Sequence, residues 1–551
     1  MCAALICAPI VGRPSPPADL IIFADRIYTL NPQQPSAEAV AVTGDRITYV
    51  GTRQGAEAFR GAATHIMDFK GGGTILPGFI DAHGHLLSLG RSLSEPNLVG
   101  TTSAEQIRDI VRARARQKST PAGQWIQGRG WDQNDWTAKE FPTWRDLAGT
   151  EANPVYLRRV DGHAAWLNKT ALELCGITAL TADPPGGKIH RDGTGNPTGI
   201  LIDNAIDLTK AAIPPPTQDE MLKWMRAAIG KCHRVGLVGI GDAGVDSAML
   251  EVYRELQKNG ELSLRIYAML SDEDSAFVNR WLERGPDTTD AYLTIRSIKT
   301  YADGALGSRG AALLESYADV PSNRGLMIHS PDYFHQLTRR ALDRGFQVCT
   351  HAIGDAANRM ALDEYEKALK DRPRENCRLR IEHCQVLAPQ DLPRFGKLGV
   401  IASMQPTHAT SDMSWAQDRL GSERIKGAYA WRSVLQSGGR LALGSDFPIE
   451  SPNPLWGIYA AITRQDQNGR PPGGWFPEQK LTVEEAVRGF TLDAAYAEFA
   501  ETSRGSIEVG KLADFTVLDR DIFNLPPQEI LKTQVEYTIV GGHIVWRRTP
   551  E

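Results

Sequence analysis

The chain has 551 residues and a mass of 60.4 kDa, which excludes a peptide hormone or a single recognition module and fits a large catalytic domain with appended pieces. Its 61 basic and 66 acidic residues give a formal net charge of −5, so no overall basic field is available to hold nucleic acid or anionic lipid. A hydrophobic content of 42% with 23% charged residues predicts a folded, soluble protein with a sizeable core.

The N-terminal segment, residues 1–17, is expected to be disordered or signal-like. Its apolar stretch from Cys2 to Val11 is too short to span a bilayer, and no Lys or Arg precedes it. A cytoplasmic location is therefore favoured, with export as the alternative. The seven cysteines of the chain are an odd number without a CxxC pair, so neither a disulfide framework nor a thiolate zinc knuckle is indicated.

Short apolar runs separated by turns occupy residues 18–72, which predicts the strands of a small β-sheet. Residues 498–551 show the same pattern of apolar runs and turns in the stretches 513–518 and 535–546. Neither chain end has enough strands to bury a face by itself. We therefore expect the two ends to form one composite β-sandwich domain.

Eight strand-like apolar runs alternate with helical segments in residues 73–497. This alternation predicts an α/β fold of the (β/α)₈ TIM-barrel type. The runs are 74–80, 237–240, 264–270, 293–300, 346–350, 379–381, 399–404 and 440–443.

The first connection of this barrel is far too long for an ordinary crossover, because about 150 residues separate the first run from the second. An insertion subdomain is expected at about residues 91–230. It is rich in tryptophan, and Trp131 follows a glycine-rich loop. These aromatics either form the wall of an apolar substrate pocket or pack in the core of the added subdomain.

Two histidines, His83 and His85, end the first run two residues apart. On an extended segment they point to the same face, so both imidazoles can reach one metal at the mouth of a barrel. An HxH pair alone is modest evidence, since surface or core histidines explain many such pairs.

Four further residues lie at the C-terminal ends of other predicted strands, which is where barrel active sites are built. They are Lys299, His351, His383 and Asp446. Lys299 shares the parity of Leu293 and Ile295 and is expected to point inward. A bare ammonium inside a barrel is costly, so a special chemical role is favoured over packing.

The order of these residues resembles the amidohydrolase superfamily of metal-dependent hydrolases. More narrowly, the chain resembles the YtcJ-like amidohydrolase family 3, which includes N-substituted formamide deformylases. The matching stretches are 76–85, 161–168, 196–201, 299–309, 351–355, 380–383, 444–448 and 505–515.

The resemblance implies a divalent metal site, most suited to zinc, with one or two ions. It implies that His83 and His85 bind the more buried ion and that His351 and His383 bind the more exposed one. Lys299 resembles the lysine that becomes a carbamate bridging two metals, and Asp446 resembles the carboxylate that contacts metal and accepts a proton. Without the carbamate, the histidines and Asp446 suffice for a mononuclear site.

The function implied is hydrolysis of a non-peptide C–N bond in an amide, N-formyl amide or carbamate, by attack of metal-bound hydroxide with an aspartate base. The partner expected is a small molecule, aromatic or hydrophobic, with no nucleic acid, no membrane and a homo-oligomer as an option. The alternatives are a deaminase or a cyclic imide or lactone hydrolase on the same site, and a catalytically silent scaffold.

Several weaker substrate-binding candidates accompany the ligands. Asp161 and His163 either bind substrate or stabilise a turn. Asp303 and Arg309 either support Lys299 and the substrate or form a structural turn. His408, which follows the seventh predicted strand, is a further histidine that can face the mouth of the barrel.

Overall fold

The computed structural model of the chain describes residues 16–160, 162, 164–184, 187–371 and 375–549. Most of the predicted N-terminal segment, residues 1–15, lies outside the described residues. Among the described residues, every helix is too short or too polar to cross a bilayer. The chain divides into two compact units, one made of residues 1–85 and 229–551 and the other of residues 86–228.

The strands of the described residues are, in chain order, β1 (Leu20–Tyr28), β2 (Ser36–Thr43), β3 (Arg46–Gly51), β4 (His65–Pro77), β5 (Phe79–Gly84), β6 (Ile126–Trp131), β7 (Val155–Arg159), β8 (Ala164–Leu167), β9 (Gly187–Arg191), β10 (Pro197–Asp203), β11 (Leu237–Val245), β12 (Arg265–Ser271), β13 (Leu293–Tyr301), β14 (Gln347–Ala352), β15 (Arg380–His383), β16 (Ile401–Met404), β17 (Arg440–Leu443), β18 (Phe515–Leu518), β19 (Val535–Val540) and β20 (His543–Arg547).

The α-helices of the same residues are α1 (Arg53–Ala56), α2 (Leu86–Ser94), α3 (Ala104–Ala115), α4 (Lys169–Leu174), α5 (Gln218–Arg234), α6 (Ser247–Lys258), α7 (Ser275–Arg284), α8 (Pro331–Asp343), α9 (Asp355–Asp371), α10 (Leu392–Leu398), α11 (Pro406–Asp412), α12 (Ala416–Arg424), α13 (Trp431–Gln436), α14 (Pro454–Thr463), α15 (Val483–Gly489), α16 (Leu492–Ala497) and α17 (Pro527–Ile530).

Eight strands form the parallel sheet of a barrel in the order β17-β16-β15-β14-β13-β12-β11-β5. The segment after β17 closes the circle onto β5, because the Asp446 N–H donates to the His83 carbonyl and the His85 N–H donates to the Phe447 carbonyl. Helices α6 to α10 follow successive strands from β11 onward, as parallel crossovers require. The predicted TIM-barrel fold is confirmed.

The first barrel strand begins later than the apolar run predicts. Residues 74–77 belong to β4, which pairs with β1 and β18, and the barrel strand β5 starts at Phe79. Residues 74–77 of β4 and all of β5 are buried, so their apolar residues form one continuous run across the boundary. Gly78 separates the two strands where a Cβ would lie only 2.4 Å from Val238 Cγ1.

Both chain ends contribute to one seven-stranded sheet in the order β20-β19-β18-β4-β1-β2-β3. Strand β4 lies at its centre, parallel to β1 and antiparallel to β18. Ile22 and Phe515 belong to one apolar cluster of this sheet, and Ile21 and Phe23 belong to another. Alternate residues of β1 therefore fill separate cores, as strand pleating requires.

The unit of residues 86–228 carries its own five-stranded sheet in the order β6-β7-β8-β10-β9. Trp131, Trp136 and Trp166 pack against one another in its core, with ring centroids 5.9 to 6.3 Å apart. Trp131 is fully buried, and its indole N–H donates to the Leu157 carbonyl at 2.8 Å. Trp131 therefore has a packing role within this unit.

Candidate metal centre

Two histidines at the end of β5 face the interior of the barrel. Asp81, His83 and His85 alternate with small residues, so the extended backbone places all three on one face. His83 is fully buried, and its ring centroid lies 5.5 Å from that of His85. Asp81 accepts hydrogen bonds from the backbone N–H groups of His83 and Ser445, which ties β5 to the segment after β17.

His383 and Asp446 reach the same centre through backbone conformations that L-residues rarely adopt. Strand alternation along β15 turns Glu382 inward and would turn His383 outward. The backbone instead leaves the extended region, with φ of 77° at His383 and 59° at Asp446. Such left-handed residues are concentrated at functional sites, where the surrounding structure holds them in place.

The side chains converge on Asp446. The Asp446 Oδ1 atom lies 3.1 Å from His85 Nε2 and 3.7 Å from His83 Nε2. The nearest ligand-type atoms of these three residues lie within 4.8 Å of one another, so one cation can contact all of them. The ring centroid of His383 lies 4.8 Å from that of His83 and 4.6 Å from that of His351.

The outer nitrogens of three of these rings face hydrogen-bond acceptors. His83 Nδ1 lies 2.7 Å from Glu382 Oε2, and His85 Nδ1 lies 2.8 Å from the Ala243 carbonyl oxygen. His383 Nδ1 lies 2.9 Å from the amide oxygen of Gln405. Each Nδ1 therefore carries the proton, and each Nε2 lone pair is directed inward, as in most histidine ligands of metals.

Electrostatics keeps His83 and His351 neutral and the Asp446 carboxylate ionised. At His85, burial opposes the charged form, but the adjacent Asp446 carboxylate raises the pKa. Burial lowers the pKa of His83 to about 4 despite the opposing charge of Glu382. Burial and the charge of Lys299 lower the pKa of His351 to about 3. Burial alone would raise the pKa of Asp446, but the close contact with His85 and the neighbouring imidazoles hold it well below its usual range. For His83, His351 and Asp446 these are the protonation states that metal ligands need.

Lys299 is 1% exposed and lies on the inner face of β13, with the parity of Ile295 and Ser297. Its Nζ atom lies 4.0 Å from the ring centroid of Tyr301, whose ring lies 5.3 Å from that of His351. An ammonium with so little solvent is costly to bury. Lys299 is thus brought to the same interior as the histidines.

Two of the weaker candidates, Asp303 and Arg309, have structural partners, and Asp303 Oδ1 also lies 3.7 Å from His351 Nε2. Asp303 is buried and accepts the backbone N–H groups of Ala312, Ile353 and Gly354, and burial raises its pKa to about 7. The guanidinium of Arg309 forms a two-point ion pair with the carboxylate of Asp319. Asp161 and His163 are outside the described residues.

Sequence reasoning assigned no role to Glu382 and Gln405, which orient two of the histidines. Glu382 lies within the motif stretch 380–383, and its parity with Arg380 in a strand of the predicted barrel was an available signal that the two charges face each other. Gln405 directly follows β16, but its pairing with His383 depends on neighbouring strands. His408 also reaches the centre, with Nε2 3.5 Å from Asp446 Oδ2.

Four buried atoms at this centre have no hydrogen-bond partner among the described residues: His83 Nε2, His351 Nε2, His408 Nε2 and Asp446 Oδ1. A buried polar atom without a partner costs about 1–3 kcal/mol, and native proteins keep few of them. Imidazole nitrogens with carboxylate oxygen are a donor set typical of zinc. The residues therefore fit a divalent cation.

Comparison with known proteins agrees with this geometry. The model of a family described as the amidohydrolase family matches residues 69–546. The amidohydrolase YtcJ of Bacillus subtilis (strain 168) is 33% identical over 529 residues, which cover 95% of this chain and 98% of YtcJ. The N-substituted formamide deformylase of Arthrobacter pascens is 29% identical over 550 residues, which cover 96% of this chain and 99% of the deformylase.

Among solved structures, an uncharacterized metal-dependent hydrolase from Pyrococcus horikoshii OT3 superposes with a TM-score of 0.77 at 27% sequence identity. The match covers 92% of this chain and 99% of that hydrolase. The family match, together with the barrel and the histidine-rich centre, shows that the chain belongs to the amidohydrolase family and is a metal-dependent hydrolase.

Proposed function

We propose that the protein hydrolyses the C–N bond of a small N-formyl amide, another simple amide or a carbamate. The observation that carries this proposal is the convergence of His83 Nε2, His85 Nε2 and the Asp446 carboxylate at the mouth of the barrel. The similarity to the deformylase of Arthrobacter pascens over nearly its whole length supports N-formyl amides as the first class to test.

The groups that would hold one or two cations are His83, His85, Lys299, His351, His383 and Asp446. Lys299 would bridge two ions as a carbamate, whereas the histidines and Asp446 suffice for one. When bound, a zinc-like cation supplies Lewis-acid chemistry, because it lowers the pKa of water and polarises a carbonyl oxygen. The imidazole ligands favour zinc over calcium or magnesium.

Asp446 is the proton carrier in this proposal. It accepts a proton from the attacking water as the new C–O bond forms, and it returns that proton to nitrogen as the C–N bond breaks. The products are an amine and a carboxylic acid, or an amine and a carbonic acid monoester when a carbamate is split at nitrogen. The ionised state of Asp446 suits it to accept the first proton.

The proposal is tested with purified protein reconstituted with zinc and offered N-formyl, N-acetyl and carbamate derivatives of arylamines. Release of free amine, with loss of turnover after chelation and recovery on adding zinc, is the expected result. Full activity in metal-free protein would contradict the mechanism.

The same assay separates the alternatives. Ammonia released from a ring amidine, without amine release from the acyl substrates, would favour a deaminase. A requirement for a second protein before any turnover occurs would favour the scaffold role.

A further inference from the structure

His408 is a buried histidine on α11 that lies beside Asp446, with 9% of its side chain exposed. Its Nε2 is 3.5 Å from Asp446 Oδ2, whereas His83 and His85 face the other oxygen, Oδ1. His408 Nε2 is buried and has no hydrogen-bond partner among the described residues. The His408 ring stacks nearly parallel to that of His383, with centroids 6.0 Å apart.

The contacts behind His408 determine which ring nitrogen carries the proton. His408 Nδ1 lies 3.3 Å from Gln385 Nε2, and the same amide nitrogen lies 3.3 Å from Asp412 Oδ2. Asp412 also accepts the hydroxyl of Tyr429 at 2.6 Å. Because a carboxylate only accepts, Asp412 holds the NH₂ group of Gln385 in this orientation. An imidazole that accepts at Nδ1 and has one proton carries that proton on Nε2.

This arrangement is opposite to that of the other histidines of the centre. His83, His85 and His383 have acceptors at Nδ1 and direct lone pairs inward. His408 directs an N–H group inward instead. Its Nε2 lies near enough to His383 and Asp446 to share a cation with them, but a protonated nitrogen offers that cation no lone pair.

We propose that His408 is a catalytic residue that donates its Nε2 proton in a hydrogen bond to the carbonyl oxygen of the substrate. This inference rests on the proposed function, because it requires an acyl substrate at the centre. The carbonyl oxygen gains negative charge when water attacks, and a fixed, desolvated donor stabilises that charge. Gln385 and Asp412 are positioning residues, since they act by keeping His408 Nδ1 an acceptor.

The first test replaces the donor. In zinc-reconstituted protein, with the acylated arylamine that the wild type hydrolyses best, His408→Leu is expected to lower kcat by about 10²–10³-fold. The zinc content and KM are expected to stay near the wild-type values, because the lost interaction forms in the transition state. His543→Gln, at an exposed histidine of β20, is the matched control and is expected to leave kcat unchanged.

The second test reads the tautomer without turnover. ¹⁵N spectra of histidine-labelled, zinc-loaded wild type are expected to show His408 protonated on Nε2, with the signal assigned by its absence from His408→Leu. In Asp412→Asn the new amide can either donate to the Gln385 oxygen or accept from the Gln385 nitrogen, so the Gln385 side chain is no longer held in one orientation. We expect part of the His408 signal to shift to the Nδ1–H form and kcat to fall.

Loss of zinc from His408→Leu, or an Nδ1–H tautomer in the wild type, would make His408 a ligand and overturn the inference. Wild-type kcat in a folded His408→Leu protein would overturn it as well. If His408→Leu does not fold, Asp412→Asn and the wild-type spectrum carry the test. If the wild type hydrolyses no acyl substrate, the proposed function fails, and the spectrum still decides the tautomer.

Discussion

Glu382→Gln removes the carboxylate that orients His83. Glu382 is fully buried, and its Oε2 accepts from His83 Nδ1 at 2.7 Å and from Arg380 Nη2 at 3.0 Å. Burial alone would raise the pKa of Glu382, but the charge of Arg380 and the hydrogen bond with His83 hold it well below its usual range. Glutamine keeps the shape of the side chain and leaves Arg380 buried without an opposite charge.

Two magnitudes follow from these contacts. Removing one partner of a buried ion pair costs about 3–5 kcal/mol of folding stability. Removing the group that orients a metal-binding histidine costs about 10–100-fold in metal affinity, or about 1.4–2.8 kcal/mol. We therefore expect Glu382→Gln both to lower the melting temperature and to weaken zinc binding.

The assay is zinc titration in competition with a chelator of known affinity, together with thermal melts. Glu498→Gln is the matched control, because Glu498 is equally buried and pairs with Arg504 at 2.5 Å. Both variants are expected to melt earlier than the wild type, but only Glu382→Gln should bind zinc less tightly.

An unchanged zinc affinity in folded Glu382→Gln would refute the orienting role of Glu382. An equal loss of affinity in Glu498→Gln would show that zinc binding follows overall stability and not the hydrogen bond to His83.

Three further predictions concern other parts of the chain. Asp446→Ala is expected to lower kcat by about 10²–10⁴-fold while elemental analysis still finds most of the metal, because the histidines remain; near-normal kcat would contradict a role in proton transfer. Lys299→Met cannot form a carbamate and is expected to lose at least one metal equivalent, so an unchanged metal content would exclude Lys299 as a ligand. His233 is buried against the Leu237 carbonyl, and burial lowers its pKa from 6.5 to about 4. As the pH falls, His233 is therefore protonated in the unfolded chain before it is protonated in the folded protein. The stability that neutral His233 gives the folded protein is fully present above about pH 6.5 and is lost as the pH falls towards about 4. It amounts to about 2 kcal/mol between pH 7 and pH 5. His233→Gln should flatten the fall in melting temperature over that range, and an identical pH dependence in the variant would disprove the assignment.

The barrel could be predicted because its pattern is local. Each buried parallel strand is a short apolar run, and seven of the eight predicted runs overlap β11 to β17. The predicted start of the first barrel strand is wrong, because the end of β4 and all of β5 are buried and only Gly78 separates Pro77 from Phe79. An apolar run records burial and carries no information about which of two sheets a strand joins.

The candidate site could be predicted in part for the same reason. His83, Lys299 and His351 lie within barrel strands, and strand position with residue type was enough to propose them. The inward turn of His383 could not be read from alternation, since it depends on a left-handed backbone at the end of β15.

Sequence by itself determined which residues offer ligand atoms and at which strand ends they lie, because residue type and strand period are properties of short segments. Only the tertiary structure decided which nitrogen of each ring faces the centre. The partner of His83 lies 299 residues away at Glu382, and that of His85 lies 158 residues away at Ala243. A histidine tautomer follows from the hydrogen bond at its other nitrogen. The difference between a histidine that can bind metal and His408, which can donate a proton, therefore exists only once distant strands are brought together.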